Sequence, residues 1–279
     1  MSSSEAAPAT GAEHARAQAR EVWALGDYDR VSRDVLEPFG PALVHACRVG
    51  PGVRVLDVAA GTGNVALTAA RAGGDVVASD LTPALLDVGR RRAEAEGLAV
   101  EWVEADAEAL PFPDASFDVV TSSVGVMFAP DHVAAANELL RVCRPAGLIG
   151  LVNWTPESWS ARFLTVLSAH VPPPAGPPGV LWGDEDHVRG LLCDGLETLD
   201  TFRHELVVDH FASGADLCAY HAEHFGPMIA AYAAVADDPE RRAALERDVL
   251  AFAEETAEDG PEGVVFRFEY LLAVGRRDA

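Results

Sequence analysis

Lysine is absent. All 21 basic residues are arginine, set against 44 acidic ones, for a formal net charge of −23. Without that amine a Schiff-base enzyme and a P-loop nucleotidase are excluded, because both need it at a fixed point. The only basic run, Arg90-Arg91-Arg92, reads as a solvated helix face. A nucleic-acid backbone or an anionic membrane demands clustered positive charge, so neither is an expected partner. Cysteine is sparse too. Cys47, Cys143, Cys193 and Cys218 stand far apart with no C-x-x-C pair, as reduced thiols of a cytoplasmic protein do. No apolar run approaches the roughly 20 residues that span a bilayer. The opening MSSSEAAPATGA has neither the basic start nor the apolar core of a secretory signal, and residues 1–12 read as a flexible tail.

What remains is a sizeable core-former: 279 residues, 49% of them apolar. Residues 13–48 follow a helical pattern broken at Gly26 and near Pro38 and Pro41. Strand and helix signals then alternate, as in a parallel sheet covered on both faces. The expected strands are 54–59, 75–80, 100–106, 117–123 and 148–154, with helices near 64–72, 83–96 and 132–143. Asp131 is placed to cap the last of these helices, and Pro145 and Gly147 to close it. After Trp154 the rhythm changes. The Pro/Gly-rich VPPPAGPPGVLWG, residues 171–183, reads as a lid, since long irregular stretches are more often functional than mere connectors. Two further strands are expected at 201–211 and 263–277, around a helical stretch at 214–258.

The sharpest local signal is VLDVAAGTGNVALTAA, residues 55–70, where a buried strand breaks on Gly61 and Gly63 and turns into a helix. Alone, this spacing fits a dinucleotide fingerprint, with Asp80 following at the ribose distance. The neighbours argue otherwise. Asp57 sits at the strand end just before the turn, where it would repel a pyrophosphate and suit a ligand with a positive end. Asp80 and Asp106 end the next two strands, one suited to a ribose diol and the other to an exocyclic adenine amine. S-adenosylmethionine has these parts and no phosphate.

VLDVAAGTGN, VVASDLTPALL, EADAEALPFPDASFDVV and ELLRVCRPAG, in this order, resemble successive motifs of the class I S-adenosylmethionine-dependent methyltransferases, in the branch related to the ubiquinone/menaquinone C-methyltransferases. The resemblance covers residues 22–154. It implies a Rossmann-like α/β fold: a seven-stranded, mostly parallel sheet flanked by helices, its last strand antiparallel, with an N-terminal helical cap over the cofactor. Residues 49–154 would be the cofactor-binding core and 155–279 the lid, substrate region and last strands. By position, the family's glycine loop falls on Asp57, Ala59, Gly61 and Gly63. Its ribose acid falls on Asp80 beside Leu81, its adenine contacts on Asp106 and Ala107, and its backbone contacts after the fourth strand on Ser122 and Ser123. Ala59 departs from the glycine that many members carry. Tyr28 falls in the cap, as a cofactor or substrate contact.

Methyl transfer needs alignment and exclusion of water, and a base only for some acceptors. His132, just past the fourth strand, is the best-placed base, though it also suits the first turn of a capped helix. His170 and His187 are weaker candidates. His221, Glu223 and His224 form an H-x-E-H pattern without a convincingly spaced third ligand, so no metal is expected. Trp154, Trp159 and Trp182, with Met127 and Phe128, point to an apolar, aromatic-lined acceptor chamber. The partners expected are a small-molecule acceptor and a second copy of the chain in a homodimer. Two other readings stand beside the methyltransferase: a nicotinamide oxidoreductase, and a protein of the same fold that binds the cofactor without transferring methyl.

Overall fold

The structure, a computed structural model, describes residues 11–173, 176–261 and 263–279. Residues 1–10 of the expected tail lie outside the described residues, while Gly11 and Ala12 already belong to the first helix. The cap is α1 (Gly11–Leu25), α2 (Tyr28–Val31), a π-helical turn at Ser32–Leu36, and α3 (Phe39–Ala46). Asp27 caps α2 by accepting from the Arg30 N–H.

Alternation then builds the sheet: β1 (Arg54–Val58), α4 (Asn64–Arg71), β2 (Asp75–Asp80), α5 (Pro83–Glu96), β3 (Val100–Glu104), β4 (Phe117–Ser123), α6 (His132–Val142) and β5 (Cys143–Trp154). All but the first residues of β1 and β2 are buried, which is why Val55-Leu56 and Val76-Val77-Ala78 are unbroken apolar runs rather than alternating ones. Leu56 lies opposite Val77 on one side and Val120 on the other. Pro83 opens α5 and Gly97, at φ 67°, closes it in the left-handed conformation. Asp131 caps α6 as expected, accepting from the Ala134 N–H at 2.9 Å.

The second half contributes α7 (Trp159–Ser168), α8 (Glu185–Leu192), β6 (Leu196–Phe211), α9 (Gly214–His224), α10 (Gly226–Ala234), α11 (Pro239–Thr256), β7 (Glu258–Asp259) and β8 (Val264–Arg277). The sheet runs β3-β2-β1-β4-β5-β8-β6, with β8 antiparallel to both neighbours. This is the mostly parallel, Rossmann-like sheet with an antiparallel last strand. A two-residue β7 pairs with β8 as an eighth strand. Order reverses between β1 and β4, so the crevice beyond their carboxyl ends is where a ligand site forms in an open α/β sheet. Among the described residues no helix is long and apolar enough to cross a membrane.

Three local expectations need correction. β3 stops at Glu104, and Asp106 lies beyond it in a turn bridged to Ala109. Pro145 and Gly147 do not follow α6 as a closing loop. They sit in a bulge of β5, where Phe117 faces Cys143 and the next paired residues are Val119 and Leu148, with Ala146 at φ 60° taking up the slack. The Pro/Gly-rich 171–183 is no cover for the crevice in its described residues. Trp182 is wholly buried beside His132, and Gly179 and Gly183 press against the Met127 and Trp154 carbonyls, where a Cβ would clash. Gly179 and Gly183 serve close backbone packing.

Candidate functional site

The crevice opens into a cavity of about 1800 Å3, counting its solvent-open mouth. One half is polar and built at strand ends. Asp57, one residue from the end of β1, is 1% exposed yet lines the cavity. Its oxygens accept from Thr121 Oγ1 at 3.0 Å and from the Ala66 N–H at 3.0 Å. Burial pushes its carboxyl up to about 7, against the pull of those two hydrogen bonds, and the Asp80 charge adds to the rise. The anion at the N-terminus of α4 is therefore the protein's own carboxylate.

The turn between β1 and α4 holds its shape through left-handed residues: Ala59 at φ 53°, Gly61 at 56° and Gly63 at 86°. Ala59 and Gly61 line the cavity. Gly63 does not; a Cβ there would meet the Trp102 ring at 2.5 Å, so its role is to let the helix start against β3. Asp80 accepts from the Gly61 N–H and the Thr82 N–H, each at 2.8 Å, clamping the turn to the second crossover. Burial raises its pKa, countered by those backbone donors. Leu81, Ala107 and Ser123 also line the cavity. Asp106 lines it as well, with its Oδ2 held at 2.5 Å by Arg16 of α1, which also binds Glu108 at 3.0 Å. Ser122 is outside the lining: its hydroxyl donates to the Val58 carbonyl at 2.7 Å and accepts from the Val126 N–H at 3.0 Å, tying β4 to β1.

The cap roofs this half. Tyr28 lines the cavity, and its hydroxyl accepts from the Gly226 N–H at 3.1 Å, pinning α10 to the cap. Burial pushes that phenol far above its ordinary pKa. Thr62 donates to the Tyr28 carbonyl, and Asn64 to the Leu36 carbonyl at 2.6 Å, so turn and roof are one unit.

The other half is apolar and comes from the second part of the chain. Trp159 and Phe163 on α7 stack at 4.9 Å, and Trp159 lies 4.9 Å from Phe268 of β8. Its indole N–H donates to Thr256 Oγ1 at 2.8 Å, which fixes the ring. Val208, Leu217 and Phe225 complete the wall, with Trp154 and Phe128 at the junction between halves. Two polar side chains of α9, Tyr220 and His221, stand in it.

His132 is not part of the lining. It is buried on the far side of α6, with Nδ1 2.9 Å from His187 Nε2 and its ring 5.6 Å from Trp182. His170 likewise binds Asp248 at 3.0 Å, away from the cavity, and Met127 and Trp182 are core residues. Among the described residues no three His, Cys, Asp or Glu are grouped to hold a metal ion. His221 was noticed only for its H-x-E-H spacing, and the residues missed by sequence reasoning are the cap's Arg16 and Trp23 and the acceptor-side Tyr220 and Phe225. No local motif marks them.

The polar half fits S-adenosylmethionine and not a dinucleotide. The Gly61 and Ala66 N–H groups, which a pyrophosphate would need, are spent on Asp80 and Asp57. Asp57 is a buried acid whose hydrogen-bond donors are neutral, and a sulfonium or ammonium group would relieve it.

A methyltransferase-domain family model matches residues 55–147. An uncharacterized protein of Mycobacterium tuberculosis is 46% identical over 260 residues, covering 92% of this chain and 93% of its own. The demethylmenaquinone methyltransferase of Thermus thermophilus is 45% identical over 105 residues, 37% of this chain and 48% of that enzyme. Among solved structures, a putative methyltransferase of Bacillus halodurans superposes with a TM-score of 0.57 at 23% identity, over 86% of this chain and 98% of that one.

Proposed function

Since the chain belongs to the class I S-adenosylmethionine-dependent methyltransferases, in the branch related to the ubiquinone/menaquinone C-methyltransferases, and S-adenosylmethionine is its cofactor, we propose that it methylates a small acceptor with an apolar, aromatic-compatible body. The observation that carries this reading is the division of one continuous cavity into an acid-lined half and an aromatic half. Only the first has groups matched to a nucleoside; the second has shape and apolar surface left for another molecule.

When bound, the cofactor supplies a methyl group on a sulfonium, an already good leaving group. Asp57 would hold its cationic amino-acid end and Asp80 the ribose hydroxyls. Asp106 would take the adenine amine, flanked by Leu81 and Ala107, with Ser123 supplying backbone contact. Tyr28, from the cap, closes the roof above them. Trp159, Phe163 and Phe268 exclude water from the acceptor half and set the acceptor's orientation, and such alignment is the main contribution a protein makes to in-line displacement. Arg16 of α1 pairs with Asp106 at the edge of the cavity, so the cap supplies a guanidinium beside the carboxylate that would meet adenine.

The test is transfer of labelled methyl from the cofactor into a cell-extract metabolite pool split by polarity. Label is expected in the apolar fraction, identified by mass spectrometry. Label confined to highly charged metabolites overturns the apolar-acceptor reading, whereas failure to bind S-adenosylhomocysteine in calorimetry would strike at the cofactor half.

A further inference from the structure

The acceptor half is almost entirely hydrocarbon, and a single imidazole is built into its wall with its protonation pattern already set. His221 Nδ1 lies 2.9 Å from the carbonyl of Leu217, one turn back on α9. A carbonyl can only accept, so Nδ1 carries the proton and Nε2 carries the lone pair. With Nδ1 tied to its own helix, Nε2 is on the far edge of the ring, away from α9. His221 lines the cavity together with Trp159, Phe163 and Phe225, whose ring centroids stand 5.5, 5.1 and 5.4 Å from the imidazole. These rings offer no hydrogen-bond donor to Nε2, because the Trp159 N–H is committed to Thr256.

We propose that His221 Nε2 is the proton acceptor for a hydroxyl group on the apolar acceptor, which makes the substrate class a phenol-type compound: an unsaturated hydrocarbon body bearing a hydroxyl. This rests on the apolar-acceptor reading above and adds the reacting group. Nε2 takes the hydroxyl proton as the acceptor oxygen forms its bond to the methyl carbon. The electron pair of the broken carbon–sulfur bond leaves with sulfur. One positive charge, on the sulfonium beforehand, is on the imidazolium afterwards, so the cavity's net charge does not change. That balance matters where burial disfavours an extra ion. It also accords with the low pKa of His221, about 4, set by burial against the Leu217 hydrogen bond: the ring waits neutral, and becomes a cation only as the other cation disappears.

Tyr220, the other polar side chain of this wall, is differently placed. Its phenol is raised by burial and by Asp34, on the cap side, and it would have to be ionised to act as a base. An acceptor with a carboxylate or an ammonium group would find no counter-charge at His221, whose shift has no contribution from a neighbouring ion.

The probe pair is 2-naphthol and naphthalene, titrated into enzyme loaded with S-adenosylhomocysteine. A neutral hydrogen bond of roughly 1–1.5 kcal/mol predicts that naphthol binds about tenfold more tightly. His221→Phe should erase that preference while leaving the S-adenosylhomocysteine Kd unchanged. In wild-type protein with labelled imidazole nitrogens, the Nε2 resonance should move on adding naphthol and stay put with naphthalene, a readout that survives even if the variant fails to fold. Equal binding of the two probes, a preference retained in His221→Phe, or an unmoved Nε2 overturns the assignment. Equal binding leaves the apolar-acceptor reading standing. Absence of binding by either probe to protein that binds S-adenosylhomocysteine defeats both.

Discussion

The two halves of the cavity are assembled by opposite strategies. The polar half comes from turns at the ends of adjacent strands, where Asp57, Gly61 and Asp80 are held by backbone hydrogen bonds that the fold must make anyway. The apolar half collects Trp159 from α7, Val208 from β6, Leu217 and His221 from α9 and Phe268 from β8, held mainly by side-chain packing, with hydrogen bonds fixing only the Trp159 and His221 rings. Geometry in the first is dictated by the main chain, so it tolerates little substitution. In the second, rings can be exchanged for others of similar volume, which is how one cofactor site can serve different acceptors.

If that contrast is right, the largest single effect should come from the clamp between the halves of the loop. Asp80→Ala removes the expected ribose acceptor and also strands the Gly61 and Thr82 N–H groups. Binding of S-adenosylhomocysteine should weaken by about 10- to 1000-fold, at 1.4 kcal/mol per decade. The thermal midpoint should drop as well, since each stranded donor costs about 1–3 kcal/mol unless water reaches it. Asp80→Asn, which keeps one acceptor, should lose less of both. An unchanged Kd in Asp80→Ala would show that the ribose is held elsewhere.

A smaller effect follows from Asp57. With its carboxyl at about 7, the ionised form that attracts a cationic ligand is mostly present at pH 8 and mostly absent at pH 6. Ligand affinity should therefore fall about tenfold between those pH values. Asp57→Asn should bind weakly throughout and lose this dependence. Its stability should move in the other direction. A carboxyl whose folded pKa is raised loses stability as pH climbs from about 4 through 7, so the asparagine variant should gain in melting temperature at pH 8. Identical pH profiles for the two proteins would remove Asp57 from ligand binding.

On the apolar side the expected changes are milder and confined to the acceptor. Leu164→Ala takes part of the wall away without leaving a buried polar group. Naphthalene binding to the S-adenosylhomocysteine-loaded enzyme should weaken about 5- to 10-fold, as several buried methylene contacts are lost at about 0.8 kcal/mol each at most. The Kd for S-adenosylhomocysteine should stay within a factor of about two. Matching losses for both ligands would mean that the halves are not separable.

The same contrast decides what could be read from sequence. The polar half was legible because a strand, a glycine turn and a helix sit within a few residues, and because Asp80 ends the next strand. Even there, local reading missed that Gly63 and Ser122 serve packing and not the cavity. The apolar half was legible only in part: Trp154, Trp159 and Phe128 were expected there and line it, whereas Tyr220, His221 and Phe225 join them through the packing of α7, α9, α11 and β8, which no spacing records. The Pro/Gly-rich 171–183 misled for a related reason: glycine signals both hinges and close backbone contact, and only packing tells which. His221 drew notice for its spacing to His224, whereas the informative partner was the carbonyl four residues behind it.

The smallest effect should be at His132, the base that position in the chain favoured. It is buried against Trp182 and paired with His187, outside the cavity lining. Turnover in His132→Leu, followed as label transfer into the metabolite pool, should stay within about twofold of wild type; a base contributes about 10²-fold or more, so the two roles are well separated. Stability should report the residue instead. Burial, and secondarily His187, push its pKa down to about 4, so the native state refuses a proton that the unfolded chain accepts near 6.5. Its contribution is whole above pH 6.5 and drains away as pH falls toward 4, by roughly 1–3 kcal/mol in total. His132→Leu should accordingly lose less melting temperature than wild type between pH 7 and pH 5. A hundredfold loss of turnover with S-adenosylhomocysteine binding intact would return His132 to the mechanism and weaken the case for His221.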